Sequence, residues 1–323
     1  MNTENPTLPG LHHVTAISAD AQSNINFYCG VLGLRLVKLT VNFDDPASYH
    51  LYYGDELGRP GTLLTFFAWP GAARGRVGPP QVTATAFSVP ANAMDFWLNR
   101  LTQRGIETES VGVRFGQRVL SFLDPDGMRV EIIGEDQPAD STAAPWPAGP
   151  IRVTYAIRGL HSVTISQRKE ESTIELLKTV MGYELQDKAE NRSRFLAGSN
   201  DHGPGVIIDL LQAPDLRHGT LGAGVVHHVA FRTPDNAQQA AWHQTISRLG
   251  LKVSPVMDRC YFHSIYYREP GGVLFEIATS NPGFTADQPA AELGRKLMLP
   301  PWLEPQRSEI EHAVPPIELP VTA

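Results

Sequence analysis

Two histidine pairs and one acid are the residues of this sequence best suited to metal chemistry. The pairs are His12 with His13 and His227 with His228, and the acid is Glu276, within the apolar run VLFEIA. Burying a carboxylate in such a run is costly unless it binds a metal ion or another cation. Two histidines and one carboxylate form the facial ligand set that leaves coordination positions open on non-haem Fe(II). We therefore expect one mononuclear metal ion to be held by Glu276 and one histidine of each pair.

Four copies of one unit decide which residues can meet. Residues 272–279 (GGVLFEIA) align with 126–133 (DGMRVEII), and 227–237 (HHVAFRTPDNA) align with 83–93 (TATAFSVPANA). Two further copies open with LHHVTAI at 11–17 and LHSVTI at 160–165. Each copy continues through a helix-like stretch that ends at a glycine and then through three short strand-like runs. The repeated unit is predicted to be βαβββ.

Four βαβββ modules predict an α+β fold of two domains with paired, cupped mixed β-sheets. A segment rich in proline, alanine and acids separates the second and third modules and is typical of a linker. The expected divisions are an N-terminal domain at 1–135, a linker at 136–155, a C-terminal domain at 156–280 and a Pro-rich tail at 281–323. We expect the tail to wrap the surface and to contain one short helix near 304–312.

The four modules differ at the two positions where ligands would lie. The opening strands carry, in order, His13, Ala84, Ser162 and His228, and the last strands carry Thr65, Glu131, Asp209 and Glu276. Only the first and fourth modules supply histidine at this position, so at most one site forms, and it requires these two modules to pack together. Thr65 then occupies a fourth corner, where a more fully ligated ion would need Glu or Gln. Threonine favours an open site.

Strand alternation adds neighbours to the predicted ligands. Thr15 should share a face with His13, whereas His12 and His227 should point away from the ligands. The polar aromatic stretch at 258–272 precedes the acid strand and contributes the candidates Arg259, His263 and Tyr266. From spacing alone, a site role and a hydrophilic strand and turn are equally supported for these three residues.

Composition indicates a globular protein that acts on small molecules. Hydrophobic residues make up 42% of the chain, and no apolar run reaches the ~20 residues that a membrane span needs. A net charge of −7 without a Lys/Arg cluster argues against nucleic acid or an anionic membrane as partner. The N-terminus lacks signal-peptide features and Cys29 and Cys260 are isolated, so we expect a cytoplasmic location. A monomer and a homo-oligomer both remain open.

Several longer motifs resemble those of the vicinal oxygen chelate (glyoxalase/bleomycin resistance/dioxygenase) superfamily. The similarity is strongest to its ring-cleaving dioxygenases that act on hydroquinones. It is carried by LHHVT, YHLYYGDELGRPGT (49–62), RFGQR (114–118), GVIIDLL (205–211), GVVHHVAF (224–231) and CYFHSIYYREPGGVLFE (260–276). The resemblance implies Fe(II), with Mn(II) as the alternative, at His13, His228 and Glu276. It also implies dioxygen and a small aromatic substrate, either a hydroquinone or a catechol.

The resemblance implies roles for residues around the metal. Arg259 and Tyr266 would lie close to the bound substrate, with Tyr266 as a hydrogen-bond donor and Arg259 balancing charge. His227 or His12 would orient a ligand or move a proton. Thr15 completes the predicted set of catalytic residues.

Two departures from the family pattern leave the choice of substrate open. Cys260 stands where relatives carry glycine, and His263 stands where they carry an acid. Two other functions also remain open, because a fold does not determine a function. A glyoxalase-like isomerase or lyase would work without dioxygen on Ni, Zn or Mn, and a small-molecule binding protein would contain no metal.

Overall fold

A computed structural model describes residues 7–136, 144–198 and 203–319 of the chain. The first module comprises β1 (Leu11–Ser18), α1 (Ala21–Ile25), β2 (Arg35–Asn42), β3 (Asp45–Gly54) and β4 (Leu63–Ala68). The second comprises β5 (Gln81–Pro90), α2 (Met94–Gln103), β6 (Gly112–Arg114), β7 (Gln117–Leu123) and β8 (Arg129–Glu135). The third comprises β9 (Gly159–Gln167), α3 (Glu171–Glu175), β10 (Tyr183–Ala189), β11 (Arg192–Ala197) and β12 (Ile207–Gln212). The fourth comprises β13 (Val226–Thr233), α4 (Asn236–Arg248), β14 (Met257–Asp258), β15 (His263–Arg268) and β16 (Leu274–Thr279).

The predicted βαβββ repeat is confirmed in all four modules. The glycines predicted to end the helical stretches all adopt left-handed backbone with φ between 70° and 78°, and they are Gly33, Gly105, Gly182 and Gly250. Glycine adopts this conformation without steric cost and can therefore reverse the chain after the helix. The first and third helices continue as π-helical segments, Asn26–Val31 and Leu176–Val180, which the sequence pattern did not predict.

Two curled eight-stranded mixed sheets are built by pairing modules from opposite halves of the chain. One sheet has the order β14-β15-β16-β13-β1-β4-β3-β2, so it joins modules one and four. The other has the order β10-β11-β12-β9-β5-β8-β7-β6 and joins modules two and three. We call them the 1/4 sheet and the 2/3 sheet. The expected packing of the first and fourth modules is confirmed.

The predicted domains divide the chain in sequence order, with modules one and two in the first domain and modules three and four in the second. Each sheet contains one module from each of these halves. The linker proposed at 136–155 is described only in part, because residues 137–143 lie outside the described residues. Tyr155, at its end, packs on Phe96 of α2 with ring centroids 4.7 Å apart. No helix among the described residues combines the length and apolar character that a membrane-spanning helix needs.

The two faces of the 1/4 sheet differ in chemistry because successive side chains alternate between them. One face packs into the main hydrophobic core, which includes Val14, Phe66 and Trp242 of α4. The opposite, concave face carries a small apolar cluster together with the predicted ligands, and Tyr52 and Phe262 belong to that cluster. The helix-covered face thus stabilises the sheet, and the concave face carries the residues predicted to bind a metal ion.

The tail covers one end of this concave face. Phe284 joins its apolar cluster, and Asp287 and Gln288 each accept a hydrogen bond of 2.6 Å from the fully buried Nζ of Lys38. The short helix predicted near 304–312 is confirmed as a 3₁₀ turn, Glu304–Gln306, followed by α5 (Arg307–Ala313). The last residues of the tail, 320–323, lie outside the described residues.

Candidate metal centre

Three adjacent central strands bring the predicted ligands together. In the antiparallel pairing of β1 with β13, Thr15 lies opposite His228, and His13 lies opposite Ala230. In the parallel pairing of β13 with β16, Ala230 lies beside Glu276. Because paired positions of neighbouring strands share a face, His13, His228 and Glu276 all point into the concave side of the sheet.

The three side chains have the geometry of ligands to one ion. His13 Nε2 lies 3.3 Å from His228 Nε2 and 3.4 Å from Glu276 Oε2, and His228 Nε2 lies 2.9 Å from that oxygen. Ligand atoms placed ~2.1 Å from an ion at right angles to one another are about 3 Å apart. All three residues are buried, and they form the one His/Cys/Asp/Glu group within 7–136, 144–198 and 203–319 that could hold a metal.

The two oxygens of the Glu276 carboxylate have different surroundings. Ser264 donates a hydrogen bond of 2.5 Å to Oε1. Oε2 is buried and has no partner in hydrogen-bonding geometry among the described residues. A buried carboxylate oxygen without a partner is costly. This orphaned atom, directed at two imidazole nitrogens, fits a metal ligand.

Electrostatics favour the protonation states that metal binding requires. Burial alone would raise the pKa of Glu276, but the adjacent imidazoles of His13 and His228 outweigh burial and lower it well below its usual range. Burial lowers the pKa of His228. The site therefore presents an ionised carboxylate and a neutral imidazole, which are the forms that bind metals.

The outer histidine of each pair supports its neighbour. His12 Nδ1 lies 2.9 Å from His13 Nδ1, and His227 Nδ1 lies 2.8 Å from His228 Nδ1. Burial lowers the pKa of both His12 and His227 to about 3, so each is neutral and can accept a hydrogen bond. When the inner Nδ1–H donates to the outer ring, the inner Nε2 keeps its lone pair for a metal ion.

A narrow cavity lined largely by aromatic rings lies beside the ligands. Its walls are formed by His13, Asn42, Phe43, His50, Tyr52, Phe67, His228, Arg259, Phe262 and Tyr266. The sequence analysis identified His13, His228, Arg259 and Tyr266 from this group and missed the rest. The alternation in YHLYYG could have indicated His50 and Tyr52, because β3 pairs with β4 and Tyr52 lies opposite Thr65.

Arg259 and Tyr266 meet in the wall of this cavity. Arg259 Nε donates a hydrogen bond of 3.3 Å to the Tyr266 hydroxyl, and its NH2 group lies 3.0 Å from the carboxylate of Asp44. Burial raises the pKa of Tyr266, so the phenol stays neutral. Its ring lies 5.7 Å from that of His228. Tyr266 is therefore a neutral hydrogen-bond donor next to a ligand and a guanidinium.

Two of the remaining candidates have contrasting surroundings. Thr15 is fully buried opposite His228 and hydrogen-bonds Thr65 at 2.8 Å. His263 does not line the cavity, because its Nδ1 lies 2.7 Å from Asn236 Oδ1 at the start of α4. Since adjacent strand residues alternate in direction, Ser264 rather than His263 faces Glu276.

Comparison with known proteins agrees with this geometry. The model of the Glyoxalase/Bleomycin resistance protein/Dioxygenase superfamily matches residues 10–132 and 159–277. MhqO of Bacillus subtilis (strain 168), named as a ring-cleaving dioxygenase, is 43% identical over 310 residues, covering 96% of this chain and 97% of that protein. The chlorohydroquinone/hydroquinone 1,2-dioxygenase of Sphingobium indicum is 37% identical over 307 residues, covering 93% of this chain and 94% of that protein.

A solved structure extends the similarity to three dimensions. The crystal structure of a protein titled as a dioxygenase from Bacillus subtilis subsp. subtilis str. 168 superposes with a TM-score of 0.92 at 42% identity, covering 97% of this chain and 99% of that one. The resemblance inferred from the sequence motifs is therefore confirmed. The chain belongs to the glyoxalase/bleomycin resistance protein/dioxygenase superfamily.

Proposed function

We propose that this protein is an Fe(II)-dependent dioxygenase that opens the ring of a hydroquinone-type or catechol-type substrate with dioxygen. The observation that carries the proposal is the convergence of His13, His228 and the orphaned Glu276 oxygen beside an aromatic cavity. The names of the full-length relatives support the same reaction class. Mn(II) is the alternative ion for this ligand set.

The three-ligand set favours redox chemistry with dioxygen over isomerisation. His13, His228 and Glu276 would hold Fe(II) with coordination positions left open, and the bound ion would let electron density pass from the aromatic substrate to dioxygen. The fourth corner of the site carries Thr65, whose hydroxyl is hydrogen-bonded to Thr15 and His50. An isomerase that holds its ion more fully would be expected to have Glu or Gln there. Threonine therefore supports an open site.

Aromatic side chains give the cavity its shape and polarity. Phe67 and Phe262 line it, with Phe43 at its wall next to Asn42. The ring of Phe262 lies 5.2 Å from that of His13, and the ring of Phe67 lies 6.3 Å from that of His228. These apolar faces suit a flat aromatic substrate and exclude water from the reacting ring.

Two polar side chains in the cavity wall would interact with the charge and the oxygen atoms of the substrate. Tyr266, held neutral by burial, can donate to an oxygen atom of the reacting ring. The guanidinium of Arg259 lies against the Tyr266 ring and hydroxyl, where it would balance negative charge on the substrate. His12 and His227 hold the orientation of the ligand histidines through their Nδ1 contacts.

Oxygen consumption tests the proposal. The full-length protein is reconstituted with Fe(II) and given a panel of hydroquinones and catechols in an oxygen-electrode assay, with product masses measured in parallel. We expect one dioxygen consumed per ring opened for at least one substrate, and no consumption by protein treated with a chelator. Turnover of glyoxalase-type substrates under anaerobic conditions by Ni, Zn or Mn protein would instead support an isomerase or lyase.

A further inference from the structure

Four polar side chains form an unbroken hydrogen-bond chain across the concave face of the 1/4 sheet. The Tyr52 hydroxyl lies 2.9 Å from His50 Nδ1, and His50 Nε2 lies 2.9 Å from Thr65 Oγ1. Thr65 Oγ1 lies 2.8 Å from Thr15 Oγ1. Strand register continues the row, since Tyr52 pairs with Thr65, Thr65 with Thr15, and Thr15 with the ligand His228. The chain therefore runs from Tyr52 and His50 in the cavity wall to the strand position that is paired with His228.

The ionisation states leave two directions for this chain. Burial raises the pKa of Tyr52 well above 10 and lowers the pKa of His50 well below 6.5, so both groups are neutral. A neutral imidazole donates at one nitrogen and accepts at the other. Since a buried hydroxyl hydrogen without an acceptor is costly, the Thr65 hydrogen must be bonded within the chain. Two directions satisfy this condition: Tyr52 donates and every bond runs toward Thr15, or Thr15 donates and every bond runs toward Tyr52.

Relative donor strength selects the first direction. A phenol is a stronger donor and a weaker acceptor than an aliphatic hydroxyl, because its oxygen lone pair is delocalised into the ring. The unprotonated imidazole nitrogen is the strongest acceptor in the chain. The best pairing therefore has Tyr52 donating to His50 Nδ1, His50 Nε2–H donating to Thr65, and Thr65 donating to Thr15.

This direction commits every hydrogen of the chain except the last. Within the described residues, the Thr15 hydroxyl has its hydrogen bond with Thr65 and no other. As an acceptor from Thr65, it keeps its own hydrogen for a group beside His228. We propose that Tyr52, His50 and Thr65 are positioning residues that hold the Thr15 hydroxyl as a hydrogen-bond donor to an oxygen atom of the aromatic substrate. This inference rests on the proposed function for the identity of that substrate.

Such a donor discriminates between forms of the substrate. An ionised ring oxygen accepts a hydrogen bond more strongly than a neutral hydroxyl. Without the chain, Thr65 could rotate and accept from Thr15, which would commit the Thr15 hydrogen to Thr65 and leave none for the side of His228. The chain therefore fixes which ring oxygen is recognised, and its loss should weaken substrate binding more than the chemical step.

The tautomer of His50 tests the direction without any turnover. The full-length protein, labelled with ¹⁵N-histidine and loaded with diamagnetic Zn(II), is examined by long-range ¹H–¹⁵N NMR, and His50→Gln identifies the His50 signals. We expect a single tautomer with hydrogen on Nε2 in the wild type, and a mixture of tautomers in Tyr52→Phe. Hydrogen on Nδ1 in the wild type would overturn the proposed direction, whatever reaction the protein catalyses.

Kinetics of a matched pair of variants test the role toward substrate. Tyr52→Phe removes the first donor, and Tyr53→Phe removes the next tyrosine hydroxyl, which faces away from the cavity and donates to Asn24 at 2.9 Å. One lost neutral hydrogen bond predicts a KM for the hydroquinone raised roughly three- to tenfold in Tyr52→Phe. We expect kcat and iron content to change less than about twofold in that variant, and Tyr53→Phe to match the wild type.

The NMR and kinetic measurements test different parts of the inference. Equal KM values for Tyr52→Phe and Tyr53→Phe would overturn the positioning role even if the ring is cleaved. Absence of ring cleavage by the wild type would overturn the proposed function and, with it, the substrate half of this inference. The NMR result would then still decide whether the chain has the stated direction.

Discussion

Aligned acids on the two sheets are neutralised in different ways. On the 1/4 sheet, Glu276 faces two imidazoles, and its Oε2 has no hydrogen-bonding partner among the described residues. On the 2/3 sheet, Glu131 occupies the matching position and receives two hydrogen bonds from Arg114, at 2.6 and 2.9 Å. A serine also donates to each acid, Ser264 to Glu276 and Ser121 to Glu131. Of these two buried acids, only Glu131 is paired with a guanidinium of the chain.

The opening strands show the same divergence. His161 and Ser162 of the 2/3 sheet align with His12 and His13, and His161 Nδ1 hydrogen-bonds Ser162 Oγ at 2.9 Å. The outer histidine and its contact to the next residue are therefore kept where the ligand is lost. The second acid of that sheet, Asp209, is bound by Arg194 at 2.8 and 3.0 Å. Guanidinium groups take the place that an exchangeable ion would have on the 1/4 sheet.

Neutralising the unpaired acid should have the largest effect on function. In Glu276→Gln, the missing carboxylate removes one of three ligands, so we expect iron content to fall to background and kcat/KM to drop by a factor on the order of 10³ or more. The metal-free protein should lose less free energy of unfolding than a protein with a broken guanidinium pair, because imidazoles left without the carboxylate can be neutral, whereas a guanidinium cannot. Metal analysis, steady-state kinetics and urea unfolding measure the three quantities.

A second ligand provides the control for this result. His13→Ala should lose iron and activity to a similar extent, whereas Ser162→Ala, at the aligned position of the 2/3 sheet, should retain both. Full iron stoichiometry with normal turnover in His13→Ala would contradict the assigned site.

The same substitution on the 2/3 sheet should give the opposite phenotype. Glu131→Gln leaves the guanidinium of Arg114 without its counter-ion, and the Arg114 side chain is only 21% exposed. We expect the free energy of unfolding to fall by about 2–3 kcal/mol, below the range for fully buried pairs because of this partial exposure. Iron content should remain at the wild-type level. Loss of iron together with unchanged stability would contradict the assignment of Glu131 to a structural ion pair and of Glu276 to metal binding.

Lowering the pH should decrease the free energy of unfolding through His161, a buried histidine of the 2/3 sheet. Burial lowers the pKa of His161 to about 3, against 6.5 in the unfolded chain. Between these values the unfolded chain binds a proton that the folded chain does not, so stability is lost as the pH falls below 6.5. This linkage amounts to about 2 kcal/mol at pH 5.

Replacing the imidazole tests this linkage. His161→Asn removes the titrating ring and keeps an amide next to Ser162. We expect its unfolding free energy to decrease between pH 7 and pH 5 by about 2 kcal/mol less than that of the wild type. Urea titrations at the two pH values measure the difference, and an equal decrease in both proteins would show that His161 is not buried in its neutral form.

The fold and the convergence of His13, His228 and Glu276 were predictable because they depend on repeated local patterns. Four aligned copies identified the strands, the capping glycines and the two modules that carry histidine. The pairing of modules one and four then followed from the requirement that His13 and His228 meet. Thr15 followed from alternation on the same strand as His13.

Other features depended on contacts that local patterns do not encode. The partner of Glu131 is Arg114, which reaches it across a tight turn where Phe115 and Gly116 both have positive φ, 47° and 78°. His50 was missed because its wall position depends on the register of β3 against β4. The exclusion of His263 from the site could have been predicted. Tyr266 pairs with Glu276, so residues 264 and 266 share the face of that acid, and His263 lies on the opposite face.

The smallest effect is expected at the rim of the 1/4 sheet, where an arginine and an acid also meet. Arg259 binds Asp44 at 3.0 Å, but the Asp44 side chain is 61% exposed, so this pair contributes little to stability. We expect Asp44→Asn to leave the free energy of unfolding unchanged within about 0.5 kcal/mol and to raise KM about twofold, because Arg259 is held less firmly over Tyr266.

Ionic strength separates this orienting role from a general loss of fit. Salt screens the exposed pair, so the twofold difference in KM between Asp44→Asn and the wild type should shrink as salt is raised from about 0.01 to 0.5 M. Asp95→Asn, which removes the 78% exposed partner of Arg118 on the 2/3 sheet, should leave KM unchanged at every salt concentration. A KM difference for Asp44→Asn that is independent of salt would mean that Asp44 acts through its hydrogen bonding and not through its charge.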